Sequence, residues 1–134
     1  KRAFNLNSLS NKKILMLGVS YRSDVGDTRY TPVEPFYLSC LNDDALVEIH
    51  DPYVKNWDEL NLTVSQDLDI LLEKNWDLII FSTAHNEYKN FKLISKLIKM
   101  ENVMIYDTVG ILKQTDIDSI NAKNTVKILG RGDI

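Results

Sequence analysis

KKILMLGVSYRSDVGDTRYTP, residues 12–32, is the stretch that decides the fold. Ile14-Leu15-Met16-Leu17 is a short apolar run that stops at Gly18. A run apolar at successive positions buries both faces of a strand, as parallel sheets do. A polar loop follows, carrying Tyr21, Arg22, Asp24, Gly26, Asp27 and Arg29. Thr31-Pro32-Val33-Glu34 then reads as a helix start, with Thr31 as N-cap, Pro32 at the first helical position and Glu34 closing a capping box. A strand, a loop with two arginines and a helix N-terminus suit an anion. The helix end offers unpaired N–H groups and partial positive charge, and guanidinium forks match phosphate oxygens.

Outward from this stretch, Val33, Phe36, Tyr37, Cys40 and Leu41 fall on one apolar helical face. Pro35 lies late in the first turn and predicts a tightened start. Leu46–His50 reads as a second strand, stopped by Asp51-Pro52. Residues 54–66 are a mixed connection, and 67–74 a short helix with Leu68, Leu71 and Leu72 inward. Residues 77–82 read as a third strand, and 88–100 as a helix whose core stripe is Phe91, Ile94, Leu97 and Ile98. A fourth strand at 103–106, a weakly patterned 111–124 and a fifth strand at 125–129 complete the chain. Strands alternating with helices predict an α/β fold: a Rossmann-like, doubly wound, mostly parallel sheet of about five strands in a single domain. Ligands of such sheets sit beyond the strands' C-terminal ends near a switch point, which selects loops 18–31, 51–56, 83–87 and 107–110.

The 134 residues make one domain, with residues 1–11 read as a linker from a preceding domain and 12–134 as the domain itself. A formal net charge of −3 argues against a general nucleic-acid binder. No apolar run approaches the roughly 20 residues of a membrane span. The single cysteine, Cys40, sits on the apolar helix face and reads as packing; it suits a reducing, cytoplasmic setting. Trp57 and Trp76 read as covers of the core or of a surface toward another domain. His50 and His85 lie too far apart for a metal set, and His85 reads as a structural or exposed loop residue.

A self-contained dinucleotide site needs a G-x-G-x-x-G turn after the first strand. Here Gly18-Val19-Ser20-Tyr21-Arg22-Ser23 supplies only the first glycine, and the loop is too long for that turn. Asp51 resembles the acidic ribose ligand of such sites, but it precedes proline and reads as a turn cap.

The loop as a whole resembles the C-terminal domain of the UDP-glucose, UDP-N-acetylmannosamine and GDP-mannose 6-dehydrogenases. Gly18, Ser20, Tyr21, Asp27, Arg29, Thr31 and Pro32 fit that family's loop pattern. His50-Asp51-Pro52-Tyr53, Ser82-Thr83-Ala84-His85 and Tyr106-Asp107 resemble its later strand ends. The resemblance spans residues 12–130. It implies a parent enzyme that oxidises the primary alcohol of a nucleotide sugar with NAD, in the service of polysaccharide precursor synthesis. In that family the NAD and the catalytic cysteine belong mainly to an N-terminal domain, and a central helical domain makes the dimer. The implied roles are substrate contact for Tyr21 and Arg22, NAD contact for Arg29, and loop organisation for Asp27 and Thr31. No catalytic or metal residue is implied here, and the fragment alone is expected to be an inactive monomer. Two departures stand out. Arg22 replaces the family's usual lysine, and Thr108-Val109-Gly110 follows Asp107 where many members carry an arginine. A second reading of the same residues is a free-standing, non-catalytic nucleotide-binding or interaction module of the same fold.

Overall fold

The computed structural model describes residues 9–29 and 31–129. Most of the expected linker, including Phe4 and Leu6, lies outside the described residues, as do Tyr30 and residues 130–134. Five strands form one parallel sheet: β1 (Lys13–Leu17), β2 (Leu46–His50), β5 (Leu78–Phe81), β6 (Met104–Asp107) and β7 (Thr125–Ile128). Their order is β2-β1-β5-β6-β7, so the chain first steps to one side of β1 and then returns to build on the other. That reversal puts the topological switch point between β1 and β5, where ligands of open α/β sheets sit.

The two faces of β1 sort the core. Ile14 and Met16 face α1 (Val33–Asn42), joining Val33, Tyr37 and Cys40. Leu15 and Leu17 face the opposite layer, formed by α2 (Leu68–Leu72), α3 (Phe91–Lys99) and α4 (Gln114–Ile120). All four β1 residues are fully buried, as the unbroken apolar run requires. Cys40 is packed in the α1 layer, and burial pushes its thiol up to about 11, so it stays an uncharged hydrophobe.

The start of α1 differs from its expected form by one residue. Pro32 is the N-cap, with φ −68° and ψ −11°. Thr31 Oγ1 accepts from Val33 N at 3.3 Å, and the Thr31 N–H goes to the Thr28 carbonyl at 3.4 Å. The capping box therefore does not close through Glu34, because the donor it would take is already used in the turn before the helix. Pro35 is the third helical residue, where the N–H has no intrahelical partner anyway, and the Glu34 N–H before it bonds the Thr31 carbonyl three residues back at 3.3 Å, which is the expected tightened start. Leu41, expected in the core, is 42% exposed near the helix end.

The helix expected over 88–100 is broken in two. A 3₁₀ turn covers Asn86–Lys89, and Asn90 caps α3 by accepting from Leu93 N at 2.8 Å. The break moves Phe91 out of the core stripe; it is 86% exposed, while Tyr88 takes the buried place. The connection 54–66 contains a small antiparallel pair, β3 (Asn56–Trp57) and β4 (Leu62–Thr63), turned at Asn61 with φ 53°. It lays Trp57 against Tyr37, ring centroids 5.4 Å apart, and closes the α1 layer. Trp76 is also buried, its Nε1–H donating to the Leu71 carbonyl at 2.7 Å.

Candidate functional site

The loop between β1 and α1 leaves the sheet at Gly18, whose φ is +105°. A Cβ there would lie 2.5 Å from Thr83 Cβ, so both the backbone angle and the neighbour require glycine. Gly18 brings β1 and the end of β5 close together. Ser82 Oγ donates to the Gly18 carbonyl at 2.7 Å, and Thr83 Oγ1 donates to the Ser20 carbonyl at 3.0 Å. Tyr21 N–H donates to the Asp27 carbonyl at 2.6 Å and closes residues 21–27 into a compact loop.

Tyr21, Arg22, Val25, Asp27 and Arg29 line one open hollow of about 660 Å³ on this loop. Tyr21 is half exposed, and the Arg22 guanidinium lies 5.8 Å from the centre of its ring, the geometry of a cation–π contact. Asp27 accepts from the Arg29 backbone N–H at 3.0 Å and from Nε and Nη2 at 3.1 Å each. These hydrogen bonds from Arg29, helped by its charge and that of Arg22, hold the Asp27 carboxyl below its ordinary value. Both Arg29 and Asp27 remain at the surface, with side chains 76% and 39% exposed. The cluster therefore carries two positive charges and one negative, at the C-terminal edge of the sheet. Thr31 stands apart: it is buried below the hollow, where its hydroxyl ties the end of the loop to α1.

Beneath the hollow lies a buried polar network that sequence reasoning read only in part. Asp51, at the end of β2, is fully buried. Its Oδ1 accepts from Tyr53 N at 2.8 Å, which is the expected turn cap. Its Oδ2 accepts from Val19 N at 2.9 Å, Ser20 N at 3.2 Å, Ser20 Oγ at 2.9 Å and His85 Nε2 at 2.8 Å. Burial alone would raise this carboxyl, but the hydrogen bonds from His85, Val19 and Tyr53 prevail and hold it below its ordinary value. A carboxylate so enclosed has no room for a ribose hydroxyl.

His85 is equally buried, and its ring packs between Tyr53 and Tyr88, centroids 4.9 and 5.7 Å away. Its Nδ1 accepts from Asp24 N at 2.7 Å, so that nitrogen carries no proton and Nε2 is the donor to Asp51. Asp24, at φ +63°, accepts in turn from Asn86 N and Nδ2 at 2.7 and 2.9 Å. Tyr53 O–H donates to Glu87 Oε1 at 2.6 Å, and Gly26 lies so close to the Tyr53 carbonyl that a side chain would collide with it. Three loops, 18–29, 51–54 and 83–87, are thus tied into one platform. The signal for this lay in polar residues placed at the ends of β2 and β5, the two strands that flank β1.

The neighbouring His50 faces a different way. Its Nδ1–H donates to Tyr88 Oη at 2.8 Å, and Tyr88 O–H donates to the His50 carbonyl at 3.1 Å. Burial pushes this imidazole down to about 4, so it is neutral near pH 7. The turn after β6 closes on itself: Asp107 accepts from Val109, Gly110 and Leu112 N–H, and Thr108 Oγ1 donates to the Phe81 carbonyl at 2.6 Å.

Comparison with known proteins agrees with this geometry. Residues 15–114 match the UDP-glucose/GDP-mannose dehydrogenase family, UDP binding domain. A UDP-N-acetyl-D-mannosamine dehydrogenase of Methanococcus aeolicus is 35% identical over 108 residues, which are 77% of this chain and 24% of that protein. Among solved structures, the NDP-N-acetyl-D-galactosaminuronic acid dehydrogenase of Methanosarcina mazei superposes with a TM-score of 0.77 at 27% identity, over 92% of this chain and 26% of its own. The UDP-D-ManNAc dehydrogenase of Pyrococcus horikoshii gives a TM-score of 0.73 at 27% identity, over 95% and 27% respectively. The chain therefore spans about a quarter of the length of the curated relative it matches. It belongs to the UDP-glucose/GDP-mannose dehydrogenase family, in the region of that family's UDP binding domain.

Proposed function

We propose that this chain is the substrate-contacting C-terminal domain of an NAD-dependent nucleotide-sugar 6-dehydrogenase acting on a UDP-sugar. The supporting observation is the hollow at the sheet's C-terminal edge, where Tyr21, Arg22, Asp27 and Arg29 meet on a loop tied down from three sides. Tyr21 and Arg22 contact the nucleotide sugar. The planar Arg22 fork bonds two diphosphate oxygens at once, where a lysine would offer a point charge. Arg29 contacts a dinucleotide held by another domain, and Asp27 and Thr31 order the loop that presents it. Residues 1–11 link to that domain, and 12–134 form the dehydrogenase C-terminal domain.

NAD would supply the hydride acceptor when bound, held mainly by a domain other than this one. Of a G-x-G-x-x-G turn after β1 the sequence keeps only Gly18, and the Asp51 carboxylate is saturated by five donors. Cys40 is buried in the core and supplies no nucleophile. The chain's own contribution is to bind, to orient and to exclude water when the parent closes.

Calorimetric titration with UDP and with UDP-sugars tests this reading. The chain is expected to bind UDP, and Arg22→Ala to weaken binding by about tenfold or more, the scale of a charge-assisted hydrogen bond. The chain alone is expected to reduce no NAD with a UDP-sugar. Absence of UDP binding, or an Arg22→Ala variant with unchanged affinity, refutes the assignment.

A further inference from the structure

We propose that His85 and Asp51 are positioning residues for the nucleotide-sugar loop: a neutral imidazole bridging a buried carboxylate to the loop's apex holds Tyr21 and Arg22 in their outward-facing form. What the loop binds rests on the function proposed above; the clamp itself rests on geometry alone.

The loop is gripped at two points by one bonded chain of atoms. At its base, the N–H groups of Val19 and Ser20 and the Ser20 hydroxyl converge on Asp51 Oδ2. At its apex, the Asp24 N–H enters His85 Nδ1. The His85 ring joins the two, since its other nitrogen donates to the same Oδ2 at 2.8 Å. Both ring nitrogens are used in opposite senses, one accepting and one donating, which only the neutral imidazole with the proton on Nε2 satisfies. The base of the clamp lies out of solvent, with His85 and Asp51 fully buried and Ser20 2% exposed, and the Asp24 end is half-buried. Residues 21–27, closed by the Tyr21–Asp27 backbone bond, are therefore fixed at base and apex. Fixing a loop in its binding form removes the ordering cost that a ligand would otherwise bear. Neither residue touches the hollow, whose lining is Tyr21, Arg22, Val25, Asp27 and Arg29. Their effect on binding passes through the loop.

The test compares His85→Phe, which keeps an aromatic ring between Tyr53 and Tyr88, with His85→Gln, which keeps one acceptor and one donor. Amide hydrogen exchange and UDP titration are measured on the whole chain. In His85→Phe the Asp24 and Ser20 amides are expected to exchange about tenfold faster or more, with Ile79 and Ile80 unchanged, and UDP affinity to fall by a similar factor. His85→Gln is expected to restore most of both. A folded His85→Phe with wild-type UDP affinity, or with an unchanged Asp24 exchange rate, overturns the proposal. Should His85→Phe fail to fold, Ser20→Ala, which removes one donor from Asp51, decides it: a several-fold weaker UDP affinity is expected, and an unchanged one overturns it. If the wild-type chain binds no UDP, the functional reading fails, while the exchange rates still judge the clamp.

Discussion

Two aspartates stand at the C-terminal edge of this sheet, Asp51 just past the end of β2 and Asp107 as the last residue of β6, and both are buried. Asp107 spends its oxygens on its own turn, accepting from residues two, three and five positions ahead. Asp51 makes one such local bond, to Tyr53, and otherwise reaches 31 to 34 residues along the chain to Val19, Ser20 and His85. The difference comes from strand order. β2 lies next to β1, and β1 next to β5, so three loops converge over Asp51; β6 lies two strands from β1, and the Asp107 carboxylate caps its own turn. The same residue type at the same edge of the sheet is a local cap in one case and a joint between loops in the other.

The largest expected effect sets these two against each other. Asp51→Ala strips the acceptor from five buried or half-buried donors and is expected to cost about 3–5 kcal/mol and to abolish UDP binding. Asp107→Ala frees three donors of a single turn and is expected to cost about 2–3 kcal/mol with UDP affinity retained in the folded protein. Urea denaturation with parallel titration measures both; equal loss of UDP binding in the two variants would break the contrast.

Acid should act on the β2 strand end. His50 titrates at about 4 in the folded chain against an ordinary value of 6.5. Between those values the unfolded chain holds a proton that the folded chain does not, so stability rises with pH there. The contribution is present above about pH 6.5 and is lost as the pH falls toward about 4, to the extent of about 3 kcal/mol. Denaturation at pH 7 and pH 4.5 reads it, and His50→Phe should flatten the slope. The depressed Asp51 carboxyl acts lower still: its stabilisation is present above about pH 4 and disappears as the pH drops through its folded value.

Glycines at the two loops give a smaller contrast. Gly18→Ala meets both a left-handed φ and Thr83 at 2.5 Å, and is expected to cost about 2–3 kcal/mol. Gly110→Ala, at φ +74° with nothing within 4 Å, meets strain alone, about 1 kcal/mol. Thermal melting ranks them. The smallest effect is at the surface: Arg29→Ala removes one side of an exposed ion pair and should shift the melting temperature least of these variants.

Much of the sheet was legible in the residues. β1 and β2 fall at 13–17 and 46–50, where apolar runs end at Gly18 and at Asp51-Pro52. The start of α3 was not, because Phe91 has the right spacing for a core stripe, while Asn90 resets the helix one residue before it. The β3–β4 pair is two residues a side, too short for any periodicity to declare it. In the site, the loop residues Tyr21, Arg22, Asp27 and Arg29 lie in one short stretch, 21–29, and so could be read together. His85 was read as structural or exposed, but its partner was out of reach. The bond to Asp51 spans 34 positions and exists only because β1 comes to lie between the strands that carry them.

The contact between Gly26 and the Tyr53 carbonyl has a use beyond this chain. Since any side chain there would collide with backbone, the letter at that column works as a spelling check. Other sequences with glycine in that place can keep the first two loops pressed together, and those with anything larger must have pulled them apart and reshaped the mouth of the hollow.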